Sequence, residues 1–399
     1  MAIWDRFRRK INNDNMQTVY HMGDFMTNAT NSGVIVDVDT ALKVTAAYAA
    51  VNVISGAIAT IPFNLYQKMD NGGRVKLTDN PLHRLLNYEW NEYLTAFRGW
   101  RILMVNALLT EAGYIEIVRR NGIPYELYPI PTKFVTKKIN YRTLKPEYEV
   151  RIDNLELRII KANNMIEIPG LASTGYTAYD PVNLLAEALG LSKAAENFAS
   201  EYFGEGTHPT AIITYPPGLK RMQDDQFRSE IRQSYTGLGK RHRLMILEDG
   251  LKFEKVAVSA NEGQMIESRE FQVQEVARFF NIPPHKIQDM SRATWSNIEE
   301  LNISFANDTL LPWIRNIEQA CYQALLFPQQ KEQGIYCEFD LNAMLRGKIS
   351  ERYDAYQKAI SYGWLSPDEV RERENLPAIP GGNGKKHYIA ANLNPIEGD

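Results

Sequence analysis

The chain has 399 residues, with 45 lysines and arginines against 48 aspartates and glutamates, a formal net charge of −3, and two cysteines. Apolar residues make up 44% and charged residues 23%. These are the proportions of a globular chain of two or three domains, and they exclude a disordered or collagen-like one. A nearly neutral balance argues against tight nonspecific binding of nucleic acid, which draws on a marked basic excess. Cys321 and Cys337 alone cannot build a disulfide scaffold.

Residues 1–38 hold many Asn, Asp, Met and Thr without a sustained period and read as a flexible arm. The basic start, Arg6 to Lys10, is followed by polar residues, so no secretory leader is expected. Residues 44–62 carry no charge, but Thr45, Asn52, Ser55 and Thr60 interrupt them. A buried, Ala-rich helix over 41–59, capped by Asp39 or Thr40, fits better than a membrane span. A strand follows at 63–67, a hairpin turn at Asn71-Gly-Gly73, and a second strand at 74–77. Asn80-Pro81 opens a short helix over 82–86, and a longer one is expected over 94–111. Strands are expected at 114–118, 125–130, 134–138 and 148–152, so that 1–175 reads as an α+β domain.

At Asp180-Pro181 the pattern changes to a long helix reaching about residue 203, dotted with the small residues Ala188, Ala195 and Ala199. A compact insert spans 204–257, with strands at 211–215, 243–247 and 252–258 around a helix at 224–235. A second long helix is expected over 262–280, stopped by Ile282-Pro283-Pro284, and a third over 296–327, kinked at Pro312. A strand at 335–339 and helices at about 346–361 and 366–374 complete the chain.

The catalytic inventory is thin. The six histidines are scattered, with no metal-ligand spacing. Gly237-Leu-Gly-Lys-Arg241 lacks the hydroxyl residue of a phosphate loop and follows a helix rather than a strand. No cofactor, metal or catalytic residue is assigned, and the chain is not expected to be an enzyme. Two basic clusters stand out in the insert, Lys220-Arg221 and Lys240-Arg241 with Arg243. They suit either a solvated face or contacts with DNA or an acidic partner.

Several segments, in this order, resemble the HK97-like family of portal proteins of tailed bacteriophages. They are residues 49–62 ending in Pro62, Phe63-Asn-Leu-Tyr66, Asn80-Pro-Leu-His-Arg-Leu-Leu86, and 187–206 ending Tyr202-Phe-Gly-Glu-Gly206. Then come Ala277-Arg-Phe-Phe-Asn-Ile-Pro-Pro284, Trp295-Ser-Asn297, Leu311-Pro-Trp313, Ile317-Glu318, Gly363-Trp-Leu-Ser-Pro-Asp-Glu-Val-Arg371, Asn375-Leu-Pro377 and Gly381-Gly382. The resemblance covers about 40–385.

It implies an α+β subunit with a wing (39–180, first part), stem helices (181–203 and 258–280) and a clip (204–257). A tunnel loop (281–296), a kinked wing helix with its strand (297–345) and a short crown (346–399) follow. It further implies a dodecameric ring at one capsid vertex of the virion, assembled in the host cytoplasm, that conducts double-stranded DNA during packaging and ejection. The implied partners are the large terminase, a head–tail adaptor, the major capsid protein and a scaffold, with no membrane. By resemblance, Gln288, Asp289, Met290, Ser291, Arg292, Ala293 and Thr294 line the channel. The clip cations meet terminase, adaptor or DNA. A head–tail adaptor, another virion interaction protein, or an α+β enzyme with a dispersed site are the competing classes.

Overall fold

The computed structural model describes residues 30–70, 72–140, 142–152, 156–172, 174–204, 211–214, 252–255, 262–289, 298–341, 349–374 and 376–389. The chain divides into two compact units, one running to Phe339 and one from Asp340.

In the first unit, α1 (Val38–Lys43) is capped by Asp37, whose carboxylate accepts from Thr40 N–H. Sequence had put the cap at Asp39 or Thr40. The helix then breaks at Val44, which is extended, before α2 (Thr45–Thr60) begins. Ala46, Ala47, Ala50, Val51, Ile54 and Ile58 of α2 are buried; its small side chains let α2 lie against neighbouring helices. Among the described residues no helix is long and apolar enough to cross a membrane.

Strand β1 (Phe63–Lys68) pairs with β2 (Arg74–Lys76) across the expected hairpin. Helix α3 (Pro81–Asn87) is capped by the Asn80 side chain and has proline in its first turn, as read from Asn80-Pro81. A small hairpin that sequence missed, β3 (Glu89–Asn91) with β4 (Leu94–Thr95), leads into α4 (Ala96–Leu109). Then β5 (Ala112–Arg120), β6 (Ile123–Ile130), β7 (Val135–Asn140), β8 (Lys145–Val150), β9 (Arg158–Lys161) and β10 (Met165–Pro169) form two antiparallel sheets, β10-β5-β6 and β7-β8-β9. Between them lies a core that includes Tyr114, Ile130, Val135, Tyr148, Val150 and Met165.

Helix α5 (Pro181–Gly204) begins where Asp180 accepts from the N–H groups of Val182 and Asn183. Two strands of the insert are described, β11 (Ala211–Thr214) and β12 (Lys252–Lys255), paired antiparallel; the expected helix at 224–235 and strand at 243–247 lie outside the described residues. Helix α6 (Glu262–Phe279) follows. A continuous helical rod then consists of α7 (Ile298–Ser304), a π-helical turn (Phe305–Leu310) and α8 (Leu311–Leu325). After α9 (Pro328–Glu332), β13 (Ile335–Phe339) pairs antiparallel with β1 in register Phe63 to Phe339. That pairing folds the rod back onto the first part of the chain. The rings of Phe63 and Phe339 stack at 4.0 Å, with Trp100 edge-on to Phe63 and to Trp90.

The second unit holds α10 (Ile349–Ser361) and α11 (Pro367–Arg373). Ser366 and Glu369 form a reciprocal capping box at the start of α11. Arg352 and Tyr356 on α10 both bond Glu374.

Proline at 312 suggested a kink there; the irregularity is instead the π turn that ends just before it. The cause is local. Pro312 has no N–H to give the carbonyl four residues earlier, Asp308, and Asn281 Nδ2 donates to that carbonyl at 2.8 Å instead. Thr309 Oγ1 donates back to the Asn281 carbonyl. Asn281 is free to do this because it closes α6 in a Schellman turn with φ 49°. Asn281 N–H reaches Arg278 O and Ile282 N–H reaches Ala277 O. Asn281→Ala therefore removes a bond to a carbonyl that Pro312 cannot pair and puts a Cβ residue with no side-chain compensation at positive φ. A loss of about 2 kcal/mol is expected in denaturant unfolding, with Asn281→Gly recovering only the backbone part.

Candidate functional site

Three surfaces hold or border the described residues that the sequence singled out: the α5 face, the end of α6, and the cleft beside the π turn. Along α5, Leu184 and Leu191 are one heptad apart and 47% and 56% exposed. Ala188 and Ala195, on the same helix, are half-buried. Ala199 lies on α5, but its side chain is outside the described set. Beside that stripe α5 is covered by the turn that starts at Thr30. Thr30 is buried, and an ideal Cβ on Gly190 would lie 2.7 Å from its Cγ2 and Oγ1. Asn31 N–H bonds the Glu187 carboxylate. Gly190 is thus the position where an N-terminal segment crosses a helix, a role the bare sequence does not reveal.

On α6, Phe271 and Phe279 are exposed, while Val276, Ala277 and, just past its end, Phe280 are buried. Beyond Pro283 a short 3-10 turn (Pro284–Ile287) ends at Gln288, which is exposed and left-handed with φ 67°. Asp289 N–H bonds Pro284 O. Of the seven residues expected to line a channel, these two are described. Met290, Ser291, Arg292, Ala293 and Thr294 lie outside the described residues, as do Lys220, Arg221, Lys240, Arg241 and Arg243. Pro312 is the second residue of α8.

Behind Gln288, a cleft of about 390 Å³ opens between the end of α6 and the π turn, bordered by Gln274, Arg278, Asn281, Asp289, Ser304 and Asp308. Lys286 sits over the Phe305 ring at 5.1 Å, and burial pushes its ammonium pKa down. Ser304 Oγ bonds Asp308 Oδ2 at 2.6 Å. Polar side chains and backbone caps meet here at the base of the 281–296 loop.

None of these surfaces assembles a nucleophile with a base. Cys321 and Cys337 are fully buried free thiols. Burial pushes Cys337 up to about 12 and Cys321 up as well, away from the reactive thiolate. Among the described residues no group of His, Cys, Asp and Glu is arranged to hold a metal. Glu318, buried against Cys321, is raised by burial, and its carboxylate is taken up by Phe339 N–H at 2.9 Å and Arg315 at 2.8 Å. That arrangement ties α8 to β13.

Comparison with known proteins bears on the family and the fold. Residues 45–375 match the protein-family model described as "Phage portal protein". The chain is 30% identical over 396 residues to a probable portal protein of Streptomyces phage phiC31, covering 95% of this chain and 84% of that one. It is 29% identical over 356 residues to the portal protein of Enterobacteria phage HK97, covering 86% and 81%. In fold it is similar to a chain of the virion of the native gene transfer agent particle, with TM-score 0.66 at 19% identity over 94% of this chain and 99% of that one. It is also similar to an HK97 family phage portal protein from Corynebacterium diphtheriae, with TM-score 0.54 at 15% identity over 79% and 99%. An α+β chain with two long helices flanking an insert, a Pro-stopped loop behind them and no catalytic centre among its described residues belongs, on these matches, to the phage portal protein family.

Proposed function

We propose that this chain forms a closed ring, most simply a dodecamer, at one vertex of a phage capsid, and that the ring is the conduit for DNA packaging and ejection. The match of the portal family over 45–375 carries this reading. A related neck structure of the gene transfer agent particle, computed with C12 symmetry, supports the ring count; it has TM-score 0.63 at 19% identity over 91% of this chain and 96% of that one. In this reading α5 and α6 are the stem, the 204–257 insert is the clip, the 281–296 loop lines the tunnel, and the unit after Asp340 is a small crown. Terminase and head–tail adaptor dock on the clip, while capsid protein and scaffold meet the wing.

The α5 surface supports assembly. Leu184 and Leu191 lie on one stripe that the lone chain leaves in water, and a neighbouring subunit in a ring would cover it. The double change Leu184→Glu and Leu191→Glu is expected to shift the purified protein from rings to single chains, read by native mass spectrometry, with the fold of each chain kept. Rings of unchanged size would remove the stripe from the interface.

A near-neutral charge suits a conduit, because every phosphate gripped slows a sliding duplex. Arg292 on the tunnel loop would touch phosphates transiently, with Asp289 offsetting the attraction. Charge reversal at Lys240 and Arg241 should lower packaging while rings stay intact, and Arg292→Glu should lower packaging or DNA retention in the same way. Packaging assays at normal levels for all three would make these residues a solvated surface.

A further inference from the structure

The unit after Asp340 folds without a core of its own. Among its described residues no apolar side chain is buried; only Ser366 and Gly384 are. Local polar bonds keep its shape. Ser366 and Glu369 close the capping box, and Glu374 ties Arg352 and Tyr356 of α10 to the end of α11. Trp364 N–H returns to Ala359 O in the turn that ends α10. Bonds of this kind fix geometry but remove little apolar surface from water. Units this small gain what they lack from disulfides, metals or association. Both cysteines lie in the first unit, and the described residues group no metal ligands. Association is the route left.

The exposed apolar groups lie on two sides of α10. Tyr362 and Trp364, with ring centroids 5.9 Å apart, are 52% and 74% exposed. Ile389 bridges Tyr362 as an antiparallel partner, and an ideal Cβ on Gly363 would lie 3.0 Å from its Cγ1. With exposed Tyr388 these residues make one patch. Tyr353 on α10 is also exposed. Tyr362 N–H still bonds Lys358 O, so the helical path runs on to residue 362. From 353 to 362 is about two and a half turns, which sets the two side chains on opposite sides.

Apolar groups on both sides suit the head-to-tail contact of a closed ring, in which each copy offers one face forward and a different face back. Ring symmetry also holds equivalent units of successive copies at one height and radius, so the neighbour's second unit is the surface at hand. A different protein bound at one side would leave the other side in water. Residues 349–389 carry equal numbers of acidic and basic side chains, so identical units meet without net repulsion.

We propose that the patch of Tyr362, Trp364, Tyr388 and Ile389 packs against the Tyr353 side of α10 in the neighbouring copy, and that this contact, repeated around the ring, supplies the core the unit lacks. The inference rests on the ring reading above and adds to it a contact separate from the α5 stripe.

The test is photocrosslinking of the assembled full-length protein carrying Trp364→p-benzoylphenylalanine. Irradiation is expected to give chain-to-chain products on denaturing gels, with the second site mapped by peptide mass spectrometry to α10 near Tyr353. Adding Tyr353→Glu should abolish those products while native mass spectrometry still finds rings. Hydroxyl-radical footprinting of the unmodified ring reads the same contact without a variant: Trp364 should react several-fold more slowly than in chains unfolded by guanidinium. Crosslinks confined to one chain, crosslinks to the neighbour's first unit, or crosslinks to a different protein in whole particles would each overturn the contact while the ring stands. So would a Trp364 that reacts in rings as fast as in unfolded chains. A preparation without rings fails the ring reading itself, and the contact with it.

Discussion

Glu167→Gln is expected to cost about 3–5 kcal/mol of folding stability. Lys137, 7% exposed, places its ammonium 2.7 Å from both oxygens of Glu167, and Tyr148 donates its hydroxyl to Glu167 Oε2 at 2.7 Å. Burial and Glu167 raise the Tyr148 phenol, so it stays a donor at any working pH. Glutamine keeps the shape but leaves the Lys137 charge buried and uncompensated between the two sheets. Replacing both partners, Lys137→Met with Glu167→Leu, should recover most of the loss, because a packed apolar pair pays no desolvation. A double-mutant cycle in denaturant unfolding reads the coupling directly. Additive single costs would show that the pair does not act as a unit.

Gly113→Ala is the second large effect, for a steric reason. Gly113 lies on β5, opposite Ile168 of β10. An ideal Cβ there would sit 2.5 Å from the Leu103 carbonyl oxygen and 2.7 Å from its Cδ1. The obstacle is backbone of α4, which cannot turn aside, so the helix must lift off the sheet. About 3 kcal/mol is expected. Gly170→Ala is the control: its Cβ would meet Ala107 O at 3.5 Å, ordinary contact, and little change is expected. Equal losses at the two positions would contradict the steric account.

How much of this was legible in the sequence depends on whether the signal was local. Asn80-Pro81 and Asp180-Pro181 marked helix starts because a capping side chain and a proline act within one turn. The strand at Ile335–Phe339 was legible from its alternation. Its pairing with β1 was not, since no local pattern reports a partner some 270 residues away. Strands β9 and β10 were missed. Three of the four β9 residues are exposed, and β10 ends in Pro169, so neither shows clean alternation. Asn281 was within reach: an asparagine after an amphipathic helix and before Ile-Pro-Pro is a left-handed cap. Its clamp on the π turn needed the fold.

The family likeness came from the order of segments along the chain rather than from any single motif. For the residues assigned to channel and clip, sequence gives chemistry but not position. Gln288 and Asp289 are the part of that set whose surroundings are described, at the exit of a Schellman turn and a 3-10 turn. Both turns follow from Asn281, Pro283 and Pro284, and they fix the path of the chain from α6 to Asp289.

The central claim is a closed ring, and the direct measurement is native mass spectrometry of the purified chain with class averages from electron microscopy. The account predicts one dominant species at twelve times the 45.6 kDa chain mass, seen end-on as a twelve-fold ring with an open centre. A stable single chain at micromolar concentration, or an open and unlimited filament, would contradict it.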